Sequence, residues 1–261
     1  MKKQKLTRVP GALLLLAALS MPAGALGQRY RLQSVKRTQI RIDSRYDQHP
    51  DSAAMAFLTP YKLKVDSLMS PVMGTTTHYM TGHRPESDLS NLLSDILVWY
   101  GELTGEHIDF GMYNIGGIRA ALPKGKVTYG DILNVAPFEN HITYLTLTGS
   151  KVLELFRQVA AVGGEGVSSS VRLVITADGK LNSATIGGKP VDANATYRIA
   201  TIDYLAHGND KMEAFKAGTR VVSPQEEKYD TRYIIAHYFQ TMTAENKVID
   251  THVEGRITVE K

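Results

Sequence analysis

Between Ser87 and Arg119 the chain reads as a capped helix, a short apolar strand and a glycine-rich turn. This run constrains the fold more than any other. Ser87 is a good N-cap residue. Leu89, Leu92, Leu93, Ile96, Leu97 and Tyr100 then recur at helical spacing to about Leu103 and make one apolar stripe. Residues 108–113 read as a short buried strand that runs into Asn114-Ile115-Gly116-Gly117-Ile118-Arg119. A one-sided helix beside a wholly apolar strand requires layers that cover both.

The rest of the chain alternates in the same way. Residues 28–50 are polar and basic at the start, and predict an extended lead-in with a short strand around Ile40. Residues 51–69 place Ala54, Phe57, Leu58, Tyr61, Val65 and Leu68 at helical spacing, with Pro60 expected to interrupt or kink the helix. Residues 71–80 read as a strand with Gly74 inside it, 127–134 as a strand start and a short helix, and 141–148 as a cleanly alternating strand. Val152, Leu153, Leu155, Phe156 and Val159 mark another helix. Strands follow at 171–176, 181–186 and 197–202, the first two joined by the hairpin signal Ala177-Asp178-Gly179-Lys180. A helix over 231–242 and a last strand over 255–259 complete the pattern. With no regular βαβ period, the expected fold is α/β of the mixed α+β kind, with mixed sheets flanked by helices. A hydrophobic content of 43% is enough for a real core.

Charge is informative by its position. The chain carries 30 Lys+Arg against 26 Asp+Glu, a formal +4. Lys2, Lys3, Lys5 and Arg8 supply that excess, so the remainder is balanced. They precede the apolar run Ala12 to Leu19 and the small residues Ala23, Gly24, Ala25 and Gly27, the layout of a secretory signal peptide. A buried N-terminal helix is the competing reading, disfavoured by four cations beside a short run. The expectation is a signal peptide over 1–27 cleaved after Ala25 or Gly27, a lead-in over 28–70, one domain over 71–261, and an exported protein with no membrane span. With no cysteine, disulfides, thiolate metal sites and a lipid-bearing cysteine are excluded. No basic patch with interleaved aromatics points to nucleic acid.

Familiar catalytic patterns are missing. The eight histidines show no His-x-His and no His-Glu-x-x-His spacing. Asp47-Gln48-His49 is formally Asp-x-His, but it lies in a polar stretch ended by Pro50. There is no Gly-x-Ser-x-Gly elbow, and Gly163-Gly164-Glu165-Gly166 lacks the Lys-Ser/Thr of a phosphate-binding loop.

Three segments stand out instead. In the Asn114–Arg119 turn, Gly116 and Gly117 let the backbone approach a ligand, and Arg119 suits phosphate or carboxylate. Taken alone, the turn serves chain reversal at least as well. Pro137-Phe138-Glu139-Asn140 either displays an aromatic ring or contributes an ordinary core Phe. Asp203-Tyr204-Leu205-Ala206-His207-Gly208-Asn209-Asp210 leaves a strand and combines an aromatic, a glycine turn and acids; such rings clamp flat bases by stacking.

Together with Glu86-Ser87-x-Leu89-x-Asn91-Leu92, Gly130-Asp131-Ile132, Leu147-Thr148-Gly149, Tyr197-Arg198-Ile199-Ala200 and Gly255-Arg256-Ile257, these segments resemble, in order, the C-terminal domain of the 5′-nucleotidase family over roughly residues 71–259. The resemblance implies that Phe138 and Tyr204 sandwich a base and that Asp210 binds ribose hydroxyls. It further implies that Asn114 contacts the nucleoside and that Arg119 reaches ribose and phosphate. Tyr204 stands where the family often has Phe. Pro85 occupies the position of a family arginine, with Arg84 one place earlier as its candidate substitute. Ser90 replaces a common Gly, and His207 and Asn209 alter an Asn-Gly-Gly-Asp turn.

Family members also carry a two-metal phosphatase domain with an Asp-x-His at a strand start, a Gly-Asn-His-Asp/Glu motif and later histidines, a set this sequence lacks. The resemblance therefore implies a nucleotide-binding half of a split 5′-nucleotidase, with no catalytic or metal-ligating residue and no cofactor of its own. Two divalent metal ions are expected on a separate metallophosphatase partner. A stand-alone nucleotide or nucleoside binder is the alternative, and a degenerate interaction domain a third.

Overall fold

The computed structural model describes residues 31–260, so the signal-peptide layout of residues 1–27 lies outside the described residues. Contacts divide the chain into two units, residues 1–55 and 56–261.

In the first unit, residues 31–43 form no strand. Ile40 and Ile42 are exposed, and the strand expected around Ile40 is replaced by irregular chain. An isolated strand leaves its backbone groups to water and gains nothing from extension. Among the described residues before 51, the one regular feature is a 3₁₀ turn, Ser44–Gln48, capped by the Asp43 carboxylate, which accepts from the Arg45 backbone and guanidinium.

Helix α1, Ser52–Met69, follows and continues through Pro60 as one element, forgoing the bond that an N–H there would give to the Ala56 carbonyl. Its apolar positions are present as expected, but Phe57, Leu58, Tyr61, Val65 and Leu68 are all exposed.

The second unit is built from β1 (Val72–Thr76), α2 (Asp88–Leu103), β2 (Phe110–Tyr113), β3 (Gly125–Thr128), α3 (Tyr129–Val135), β4 (Ile142–Thr148), α4 (Gly149–Ala161), β5 (Gly166–Val167), β6 (Val171–Thr176), β7 (Leu181–Ile186), β8 (Lys189–Pro190), β9 (Thr196–Ile202), α5 (Asp203–Ala206), β10 (Thr219–Val222), α6 (Thr231–Ala244) and β11 (Ile257–Glu260). A five-stranded sheet runs in the order β10-β4-β9-β2-β5, a four-stranded sheet in the order β11-β6-β7-β8, and β1 pairs with β3. β2 and β9 are parallel, with Phe110 opposite Ile199. β4 runs antiparallel to β9, with Ile142 opposite Ile202. The fold is mixed α/β, as the irregular alternation predicts.

Helix α2 begins where the sequence places it. Ser87 caps it, and Ser90 returns the bond to the Ser87 backbone. Leu89, Leu92, Leu93, Ile96 and Leu97 are buried against β2 and β5. The helix lies so close to β2 that a Cβ on Gly111 would stand 2.5 Å from the Ser94 carbonyl oxygen, so only glycine fits there.

The first and last family motifs meet beside this helix. The buried Glu86 carboxylate accepts from Asn91 Nδ2 at 2.7 Å and from the backbone N–H of Glu254 at 2.8 Å. The buried Arg256 guanidinium donates to both Asp95 carboxylate oxygens, at 3.0 and 2.7 Å, and to the Val167 carbonyl at 2.9 Å. These motifs fasten the C-terminal segment to the core and leave the site to other residues.

Candidate functional site

Three loops converge at one end of the central strands of the five-stranded sheet. β2 and β9 are parallel neighbours, so the turn after Tyr113 and the segment after Ile202 leave at the same end. β4 is antiparallel to β9 and starts at that end, which brings in residues 137–141. Crevices beyond the carboxyl ends of parallel strands are where α/β sheets hold ligands. Here a cavity of about 370 Å³ opens between Asn114, Gly116, Gly117, Arg119, Phe138, Asn140, Tyr204 and Asp210.

Seven of those eight were named from sequence; Asn140 was not. Its signal is proximity: it stands two positions after Phe138 in the loop that enters β4. Arg84, the remaining candidate, does not line the cavity. Its guanidinium pairs with the Glu165 carboxylate and donates to the Gly164 carbonyl at 2.8 Å.

Asp210 is the hub. Asn114 Nδ2 donates to its Oδ2 at 2.7 Å, and the Tyr204 hydroxyl donates to its Oδ1 at 3.0 Å. A carboxylate only accepts, which fixes the orientation of the Asn114 amide. Sharing its proton with Asp210 raises the Tyr204 hydroxyl above its ordinary pKa. Asp210 has φ 53 and Lys211 φ 68, two successive left-handed residues without glycine. Such backbone is held only when its surroundings fix it, and here Asn114 and Tyr204 do so.

Gly117 has a separate reason to be glycine. A Cβ there would lie 2.6 Å from Asn114 Oδ1 and would push the amide off Asp210.

The two rings stand open. Phe138 is 48% and Tyr204 39% exposed, although both are large enough to reward burial. Arg119 is exposed, 6.0 Å from the Phe138 ring centre, and pairs with no carboxylate among the described residues. The cavity therefore offers two rings, one carboxylate and one guanidinium whose hydrogen bond is a long one, 3.4 Å from Nη1 to the Gly116 carbonyl, beside its place over Phe138.

Behind the turn, Glu165 is fully buried and accepts from the Ile115 backbone N–H at 2.5 Å while pairing with Arg84. It braces the first residue of the glycine turn. Burial is the largest influence on its carboxyl and raises its pKa, against the lowering effects of the Ile115 N–H and Arg84. A carboxyl whose pKa is raised by folding holds its proton more tightly in the folded chain. Stability therefore falls as pH rises from the ordinary value of 4.5 through the raised folded value. Glu165→Gln lacks this titration. Its urea midpoint, compared with the parent's, is expected to gain ground as pH rises above 4.5. A gap that does not change with pH would show that the buried carboxyl does not titrate in this range.

A mixed sheet with a pocket between the ends of its central strands, bounded by loop aromatics, defines an α/β ligand-pocket domain. Residues 72–217 match the family model described as 5′-nucleotidase, C-terminal domain, and the chain belongs to that family. A 5′-nucleotidase of Vibrio vulnificus is 30% identical over 179 residues, covering 67% of this chain and 32% of its own length. Protein UshA of Escherichia coli is 30% identical over 160 residues, covering 60% of this chain and 29% of its own. The crystal structure of a 5′-nucleotidase precursor from Thermus thermophilus superposes with a TM-score of 0.67 at 27% identity, over 79% of this chain and 43% of that one. The chain thus spans about a third of the length of the curated relatives it matches.

Proposed function

We propose that this chain holds a nucleotide by its base and ribose and presents the phosphate ester for hydrolysis by a separate metallophosphatase chain, in nucleotide catabolism. The observation that carries this reading is the grouping of Phe138, Tyr204, Asp210, Asn114 and Arg119 around one cavity. Asp210 keeps acceptor capacity on each oxygen after receiving one bond from Tyr204 and one from Asn114, which suits a vicinal diol. Arg119 supplies a planar fork for phosphate.

The cavity does not suit the two metal ions of the family's phosphatase reaction. Its lining has a single carboxylate and no histidine, whereas a two-metal site needs several such ligands. We assign those ions, and the activation of water, to the partner. This chain contributes positioning, which lowers a barrier by holding the reacting ester in place. The basic, apolar and small-residue layout of residues 2–27 supports export.

The test is phosphate release from AMP with Mn²⁺ or Zn²⁺, by the purified chain alone and with candidate metallophosphatases. Release only in the mixture is expected, and strong release by the chain alone would overturn the division of labour. The second reading, a nucleotide or nucleoside binder with no part in catalysis, is favoured by one observation: the cavity lining has rings and a carboxylate for a nucleoside and no set of metal ligands. Tight calorimetric binding of AMP or adenosine, with no partner able to release phosphate, would select it.

A further inference from the structure

Away from the cavity, the fold gathers groups that the sequence keeps far apart. Thr76 pairs with Ile249 in a parallel bridge, and the Thr77 N–H donates to the Ile249 carbonyl at 3.0 Å. Ile249 in turn donates to the Thr75 carbonyl at 2.9 Å. This short ladder lays residues 249–252 along the end of β1. It brings His78, Asp250 and His252 together, with one potential ligand atom from each inside a 4.8 Å span.

The three groups lie within reach of a shared ion, which would displace the Thr77 hydroxyl that now meets His78 Nδ1 at 2.9 Å and donates to Asp250. His78 Nδ1 is 3.6 Å and His252 Nε2 3.0 Å from Asp250 Oδ1. Ligands about 2.0–2.1 Å from a tetrahedral ion stand about 3.3 Å apart, between these two values.

A second feature points the same way. The other ring nitrogen of His78, Nε2, lies 3.3 Å from Asp88 Oδ2. Asp88 is itself fixed, because its Oδ1 accepts from the backbone N–H of Thr81 and of Leu89. A carboxylate behind a ligating imidazole sets its tautomer and raises its basicity. The backbone around His252 is also held: its carbonyl accepts from Asn91 Nδ2 at 3.0 Å.

The two imidazoles are stacked, with ring centres 4.7 Å apart and planes 4° from parallel. An ion must lie near the plane of each ring that binds it. Coordination therefore turns the His252 ring out of the stack, and its side chain, 64% exposed, has room to do so.

We propose that His78, Asp250 and His252 bind one divalent cation of the zinc, nickel or copper class, with Asp88 as positioning residue. Two imidazoles favour these ions over Mg²⁺ and Ca²⁺. The ion would clip the C-terminal segment to β1, a role independent of nucleotide binding. No metal ligand is expected from the sequence, yet Asp250-Thr251-His252 is a second Asp-x-His, and the ladder adds His78 from 172 positions earlier to its Asp250.

The test is titration calorimetry of the tag-free, chelator-treated chain with Zn²⁺ and Ni²⁺, using Mg²⁺ as control. Thermal unfolding is followed in parallel. One saturable site is expected, with a midpoint that rises with Zn²⁺ because the ion binds only the folded chain. His78→Gln and His252→Gln should each abolish both effects, and Asp88→Asn should weaken affinity about 10–100-fold. Absence of saturable binding would overturn the proposal. So would unchanged binding in the His78→Gln, His252→Gln double variant, which would place the metal on other surface histidines.

Discussion

Replacing both rings, Phe138→Ala with Tyr204→Ala, is expected to weaken AMP binding by about 2–4 kcal/mol, on the order of 30- to 1000-fold. Stacking of a base on an aromatic face contributes about 1–3 kcal/mol per contact by alanine substitution, and this site offers two half-exposed rings at one cavity. Both side chains are already wet, so their loss leaves no cavity in the core and should change the unfolding midpoint little. The discriminating ligand is ribose 5-phosphate, which keeps the sugar and the phosphate but has no base. Its affinity should fall much less in the double variant, by no more than the lost bond from Tyr204 to Asp210 contributes. Calorimetry with both ligands separates the outcomes. Parallel loss of AMP and ribose 5-phosphate would mean that the rings shape the cavity without stacking a base, and no loss of either would remove them from the site.

Asp210→Ala carries the second large effect, about 3–4 kcal/mol, or on the order of 10²- to 10³-fold in AMP affinity. Hydrogen bonds to a charged acceptor contribute about 1.5–3 kcal/mol each, and a ribose diol would make two. The substitution also strips Asn114 Nδ2 and the Tyr204 hydroxyl of their shared partner. Asp210 occupies the left-handed region, which Asn tolerates better than Ala. Asp210→Asn therefore preserves the backbone while removing the charge. The readout is the preference for a ribonucleotide over its 2′,3′-dideoxy counterpart. The parent should show a strong preference and both variants a weak one. An undiminished preference in Asp210→Ala would place the ribose elsewhere.

The two predictions have different origins in the chain. Phe138 is ambiguous as a single residue, since an aromatic beside a strand is usually core. The exposure of Phe138 and Tyr204 distinguishes them from Phe110 and Phe156, which are wholly buried. Arg84 shows the converse. It was named from its place beside Glu86, yet it serves a buried acid behind the turn and lies outside the cavity. Two positions on in sequence stands Glu86, which holds the C-terminal segment, but the partner of Arg84 in space is Glu165, 81 positions on. No pattern of spacing announces such a pair.

Periodicity and capping determined most of the local structure. The apolar stripe from Leu89, the Ser87 cap, the alternation through 142–148 and the hairpin joining 171–176 to 181–186 all depend on neighbours within a few residues. Around Ile40 the same reasoning failed, because a strand needs a partner that local sequence cannot supply. The order of motifs likewise determined the family. Sheet order was decided only by the tertiary structure. The parallel pairing of β2 with β9 brings Asn114 within 2.7 Å of Asp210 across 96 positions of chain, and the short ladder at the end of β1 brings Thr77 to Asp250 across 173. Both sites consist of side chains whose distance is fixed by strand pairing, and pairing is a property of the packed sheet that no single segment carries.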